Sequence, residues 1–249
     1  MLGFKVLNLK TDKGKNFYYN NIVTNRLGKE IENILDKVKD IDAIKELTSS
    51  LEYEVGKEKT NLANGYYYIL DSKPINKDTL KGLYDILSKD LLDDYSIETM
   101  GKYYRKNNVY ILDSKENLMG TFDKGMSPDK VEENMDSLFN YINKNSSNDP
   151  IELFIKSQII HYYMAYVHPY YDVNGRCART TSMWYLLNNG QYTSIVFNKG
   201  IYKNKTEYKK LMQKCRNGNL TPFLEFSLEV LKNELENSII YSDEDIKKR

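Results

Sequence analysis

Apolar residues return every three or four positions along most of this chain, a period that selects helices over strands. From Arg26 to Leu51 the stripe runs Ile31, Ile34, Leu35, Val38, Ile41, Ile44, Leu47 and Leu51. From Asn76 to Leu92 it runs Leu80, Leu83, Ile86, Leu87 and Leu91. Three later helices announce their starts, because Ser127–Pro128, Asp149–Pro150 and Thr221–Pro222 each set a capping residue before a proline at the first helical position. Asp149 also has Glu152 three residues on, in the manner of a capping box. The helix it opens is predicted to end at Val167, since His168 precedes Pro169 and a residue before proline is pushed out of the helical region. One segment departs from the period. Val109–Leu112 and Leu118–Phe122 flank the polar Asp-Ser-Lys-Glu-Asn and predict a short β-hairpin. The expected fold is mainly α with one hairpin, closed by a charged, frayed tail over residues 241–249.

Composition narrows the function classes. A net charge of +1 gives no global pull towards nucleic acid or an anionic membrane surface. No apolar run approaches the ~20 residues of a membrane span, and the opening Met-Leu-Gly-Phe-Lys lacks a signal-peptide core. Cys177 and Cys215 show neither metal spacing nor a disulfide framework, which suits a reducing cytoplasm. With two histidines in the chain, any imidazole chemistry passes through His161 or His168. They stand seven residues apart, about 10 Å along a helix, too far to share one metal's ligand shell. His161 is expected to pack, as are its neighbours Tyr162, Tyr163 and Tyr166.

The stretch from Val167 to Thr180 carries the chemistry. A helix ends, a loop of Pro, Tyr, Asp, Asn and Gly follows, and a new helix is predicted from near Arg176 to Asn188-Asn-Gly190, capped by Asn174 or Asp172. Arg176 and Arg179 then fall on one face of its first turn, where cations oppose the helix dipole unless an anion offsets them. Free N–H groups and two guanidinium forks suit polyphosphate. Solvent, or a nearby carboxylate such as Asp172, accounts for the pair equally well. Asp172 is a hard oxygen ligand suited to Mg²⁺ beside phosphate, and His168 titrates in the range of a general base. Together they form a set for transferring a phosphate-containing group.

These residues resemble the signature of the Fic family, H-P-F-x-[D/E]-G-N-G-R-x-x-R. Here it stands as His168-Pro169-Tyr170-Tyr171-Asp172-Val173-Asn174-Gly175-Arg176-Cys177-Ala178-Arg179. Upstream, His161 and Tyr166–Val167 are similar to the helix that carries the motif. Downstream, Ile201–Asn204, Tyr208–Leu211 and Gly218–Phe226 are similar to the closing helices, so the resemblance spans residues 48 to 235. The resemblance implies a Fic-type helical bundle whose hairpin, residues 109–122, acts as a flap over the active site. It divides the chain into an N-terminal helical segment (1–60), a catalytic core (61–240) and the tail (241–249). It also implies adenylylation: AMP passes from Mg²⁺-bound ATP to a Tyr, Thr or Ser hydroxyl of a target protein or of the enzyme itself. His168 would be the base and Asp172 the Mg²⁺ ligand. The backbone of Val173, Asn174 and Gly175, with the Asn174 side chain, would form the anion hole, and Arg176 and Arg179 would grip the remaining phosphates. The same scaffold transfers other phosphate-containing groups or removes AMP, and a weakly catalytic nucleotide-binding module is the third reading. Neither membrane nor nucleic acid is expected as a partner, and a homo-oligomer stays open.

The chain departs from the signature twice. Tyr170 replaces Phe in a ring expected to pack inward, and Val173 replaces a glycine where a β-branched residue resists φ > 0. Many family members restrain themselves with [S/T]-x-x-x-E-[G/N], whose Glu answers the second motif arginine. Thr48 with Glu52 fits this except at the last position, and Ser50 with Glu54 is the alternative register.

Overall fold

The computed structural model describes residues 3–38, 42–71, 73–111, 123–144 and 147–247. It begins with an antiparallel hairpin that the helical reading missed, β1 (Phe4–Lys10) and β2 (Asn16–Asn20), pairing Phe4 with Asn20 and Lys10 with Asn16. Leu7 and Leu9 alternate inward on β1, as do Phe17 and Tyr19 on β2, and Gly14 makes the turn at φ 76°. Two hairpins, not one, therefore stand among the described residues.

Helix α1 (Asn21–Leu35) and the short α2 (Ala43–Ser49) replace the single stripe expected from Arg26 to Leu51. Asp42 explains the restart, since its carboxylate accepts from the backbone N–H groups of Ile44 and Lys45 and caps a new helix. A 3₁₀ turn, Ser50–Tyr53, leads to α3 (Gly56–Leu70), α4 (Lys77–Ser88) and α5 (Asp94–Thr99). The division at residue 60 falls inside α3, whose Leu62 and Tyr66 belong to the main core. Asn76 and Thr79 close a full capping box on α4.

Strands β3 (Tyr110–Ile111) and β4 (Asp123–Lys124) form the base of the second hairpin, with Tyr110 opposite Lys124. Residues 112–122, including the predicted strand Leu118–Phe122, lie outside the described residues. Then come α6 (Pro128–Asn143), α7 (Pro150–Val167), α8 (Asn174–Asn188), α9 (Phe197–Lys203), α10 (Lys205–Lys214) and α11 (Thr221–Lys247). Asp149 caps α7 through the N–H groups of Ile151 and Glu152. Thr221 instead accepts from the Asn20 N–H at 2.9 Å, binding the last helix to the N-terminal hairpin. The expected frayed tail is an unbroken continuation of α11 to Lys247.

Helix α7 is apolar on every side and buried almost throughout, as a helix enclosed by neighbours must be. It packs on α1, α6, α8 and α11, while α3 and α4 cover α8. The α7–α8 junction, which carries the motif, therefore joins two helices held by the core while its loop reaches the surface at Asp172.

Candidate active site

Helix α7 ends at Val167, and His168 turns the chain at φ 55°, ψ 61°, its N–H closing on Met164 O at 3.1 Å. The imidazole Nδ1 lies 3.2 Å from Ala165 O, which places the proton on Nδ1 and leaves Nε2 as an acceptor. Burial, with help from the Arg105 and Arg216 cations, pushes the His168 pKa down to about 4. The ring is thus neutral at pH 7 and competent to take a proton.

The loop is held by its own side chains. Tyr170 stacks on Tyr84 at 3.7 Å with planes 10° apart, so the ring packs inward as its place in the motif suggested. The Asn174 amide accepts from Tyr170 N–H at 3.0 Å and donates to Tyr170 O at 2.9 Å. That side chain braces the loop, and the first turn of α8 has no side-chain cap on its N–H groups. Asp172 is exposed and its Oδ1 accepts from Val173 N–H at 2.6 Å. No three His, Cys, Asp or Glu side chains group as a metal site among the described residues. A lone exposed carboxylate at this position fits Mg²⁺ as it binds with phosphates, through one protein oxygen, substrate oxygens and water.

Helix α8 starts at Asn174, two residues before its predicted start, and neither Asn174 nor Asp172 is the cap residue. Val173 is, at φ 65°, ψ 6°, with no side-chain cap bond. A buried β-branched residue thus occupies the left-handed region where the signature carries glycine.

Arg176 meets a carboxylate directly and Arg179 reaches one only through a tyrosine hydroxyl, and neither carboxylate is Asp172. Arg176 Nη2 meets Glu58 Oε1 at 2.8 Å, and its Nη1 is buried without an acceptor. Arg179 Nη2 donates to Tyr202 Oη at 3.3 Å with its guanidinium 5.0 Å from that ring's centre, and Tyr202 donates to Glu54 Oε1 at 3.2 Å. Tyr53 stacks on Tyr202 at 4.8 Å. Of the two registers, Ser50–Glu54 is therefore the one directed at Arg179: Ser50 is buried, its hydroxyl 2.6 Å from Tyr66 Oη. Thr48 and Glu52 are exposed, and the Thr48 hydroxyl bonds back to Ile44 O and Lys45 O of its own helix.

His161 packs. It is fully buried, donates or accepts at Tyr208 Oη across 3.0 Å, and burial pushes its pKa down to about 3. Tyr162, Tyr163 and Tyr166 stand edge-on to Phe17, and the Tyr163 and Tyr166 hydroxyls hold the β1–β2 turn at Lys10 and Asp12.

Sequence reasoning missed Arg105. This residue is 2% exposed, and its guanidinium donates to His168 O at 2.8 Å, Asn107 O at 2.6 Å and Met126 O, while its N–H reaches Pro169 O at 3.0 Å. It ties the hairpin base to His168 at the start of the motif loop. Gly125 makes the same junction tight, for a Cβ there would come within 2.8 Å of Arg105 Nη2 and 3.1 Å of His168 Cβ. Nothing in a lone Arg between Tyr104 and Lys106 marks it from sequence. Among the described residues, no helix is long and apolar enough to cross a membrane.

The Fic/DOC family model matches residues 74–186, a span that includes the whole motif and excludes Glu54 and Glu58. A Fic family protein from Desulfovibrio desulfuricans G20 superposes with a TM-score of 0.60 at 20% identity, over 89% of this chain and 65% of that one. The chain thus spans under two thirds of that relative. Fic-1 from C. elegans superposes at 0.59 and 15% identity, covering 90% of this chain and 74% of the other. IbpAFic2, solved covalently tethered to Cdc42, superposes at 0.54 and 20% identity over 86% and 70%. At such identities these likenesses establish the fold.

Proposed function

Because residues 74–186 match the Fic/DOC family model, we propose that this chain is a protein adenylyltransferase. Its substrates are Mg²⁺-bound ATP and the hydroxyl of a Tyr, Thr or Ser on a target protein or on itself. The observation that carries this reading is the meeting, at one helix junction, of a neutral His168 with the uncapped first turn of α8 and its two arginines. A base, an anion cradle and two cations at a shared point suit attack on a phosphate ester.

In this reading the hydroxyl oxygen attacks the α-phosphorus as its proton passes to His168 Nε2. The bond from the α-phosphorus to the bridging oxygen breaks, and pyrophosphate leaves. Nδ1 keeps its proton on Ala165 O throughout, so the ring presents one basic nitrogen. The α8 N–H groups receive the charge on the transferred phosphate, and Arg176 and Arg179 receive the leaving pyrophosphate. Asp172 would hold Mg²⁺, which would supply charge neutralisation for the phosphates.

Autoinhibition belongs to the same reading, with Ser50–Glu54 as its register. Tyr202 relays the Glu54 carboxylate to Arg179, so a phosphate reaching that fork must displace the relay. Glu54→Gly should raise the transfer rate severalfold, whereas Glu52→Gly should leave it unchanged. Incubation with Mg²⁺ and α-labelled ATP tests the activity itself: label enters protein in the wild type and is lost in His168→Ala. Offering GTP, UTP and CDP-choline alongside tests the donor. Preference for one of these over ATP replaces AMP by that donor's group.

A further inference from the structure

We propose that Glu58 is a second carboxylate competing with the substrate's phosphates, holding Arg176 while Glu54 is directed at Arg179. The inference rests on the phosphate-transfer reading above and adds a residue that lies outside the 74–186 domain. Glu58 sits in the first turn of α3, Arg176 in the first turn of α8, and their 2.8 Å contact spans 118 residues of sequence. Two carboxylates four residues apart thus stand by two arginines three residues apart, Glu58 on Arg176 directly and Glu54 on Arg179 through the Tyr202 hydroxyl.

Three features make the contact a competitor rather than a fixed strut. First, Arg176 is only half answered. Its side chain is 14% exposed, and Nη1 is buried with no acceptor although Nη2 is paired. A buried guanidinium nitrogen without a partner is costly, and a phosphate oxygen supplies what the carboxylate leaves open. Second, the Glu58 side chain is 41% exposed, so on release it rehydrates at little cost, while Arg176 stays in place for the anion. Third, the start of α3, which bears Glu58, is lightly held. Val55 caps α3 with no side-chain bond and is 77% exposed, and Gly56 turns at φ 55° with no atom within 4 Å of a built Cβ. Beyond that turn α3 is firmly held, first by the Asn61 amide on Leu87 O and Lys89 O and, further along, by the Tyr66 hydroxyl on Ser50 and Asn198. The first turn can therefore swing without loosening the rest of α3.

The test is titration calorimetry of the full chain with inorganic tripolyphosphate and Mg²⁺, a probe without base or sugar, repeated with Mg-ATP. Glu58→Ala should bind tripolyphosphate about 3- to 10-fold more tightly than wild type, and Glu58→Gln should fall between them. The gain should shrink as salt rises, since it is a charge effect at a half-exposed pair. Glu54→Ala/Glu58→Ala should bind more tightly than either single variant. Unchanged or weaker binding by Glu58→Ala overturns the proposal, because a strut that merely orients Arg176 predicts loss. The α-label assay on the same proteins separates the two readings. Tighter tripolyphosphate binding without AMP transfer by any variant leaves Glu58 as the competitor and rejects the adenylyltransferase. Transfer with unaltered binding in Glu58→Ala rejects only the role of Glu58.

Discussion

Val173 concentrates the tension between this sequence and the loop it must form. The φ of 65° places a β-branched side chain in the left-handed region, at a cost of about 1–2 kcal/mol. Its burial offsets that, since an isopropyl group removed from water contributes about 1.5–3 kcal/mol. Substitution separates the two effects. Val173→Ala loses packing and keeps the strain, whereas Val173→Gly loses slightly more packing and releases the strain. By urea unfolding, Val173→Gly should be the more stable of the two by about 1 kcal/mol. The reverse order would mean that the loop does not require the left-handed conformation. The missing glycine was legible in the sequence, but the φ was not, because the motif alone does not say whether valine distorts the loop or submits to it. The carboxylate register was equally undetermined. Thr48–Glu52 and Ser50–Glu54 share one pattern, and only the packing of the turn onto Tyr66 and Tyr202 directs Glu54 at Arg179.

At the scale of elements, helix ends marked by proline and a cap were readable, and those fixed by tertiary contact were not. Helix α7 runs from Pro150 to Val167 as expected because Asp149 and the His168–Pro169 pair fix its ends locally. Asp42 broke a stripe that periodicity alone would have kept whole, and β1–β2 escaped because five- to seven-residue strands leave a weak trace beside long helices. The hairpin base and the motif loop meet through Arg105, whose three guanidinium bonds all end on carbonyl oxygens. Arg105→Lys keeps the charge and loses the fork. It should cost about 1–3 kcal/mol in chemical denaturation by stranding buried carbonyls. It should also lower kcat of transfer while leaving KM for ATP near wild type, because Arg105 touches His168 and not the arginine pair. A change confined to KM would contradict this placing.

The whole molecule answers to pH through its two imidazoles. Both histidines have pKa values pushed below the usual 6.5, His161 to about 3 and His168 to about 4, chiefly by burial. Between those values and 6.5 the unfolded chain binds more protons than the folded one, so stability rises with pH across that window and is fully present above it. For His161 the slope approaches about 1.4 kcal/mol per pH unit between pH 4 and 6. His161→Leu should flatten the denaturation midpoint over that range, whatever its effect on absolute stability. A slope unchanged in the variant would mean that His161 titrates normally in the fold. Catalysis, by contrast, should hold level from pH 6 to 8 because His168 is already neutral there.

The central claim is that His168 and the α8 arginines move AMP, not phosphate, onto a hydroxyl. Two parallel incubations of the Glu54→Gly protein with Mg²⁺ test it most directly, one with ATP labelled at the α-phosphate and one at the γ-phosphate. Protein-bound label from the α position alone, lost in His168→Ala, is the predicted result. Label arriving from the γ position, or α-label surviving without His168, would contradict it.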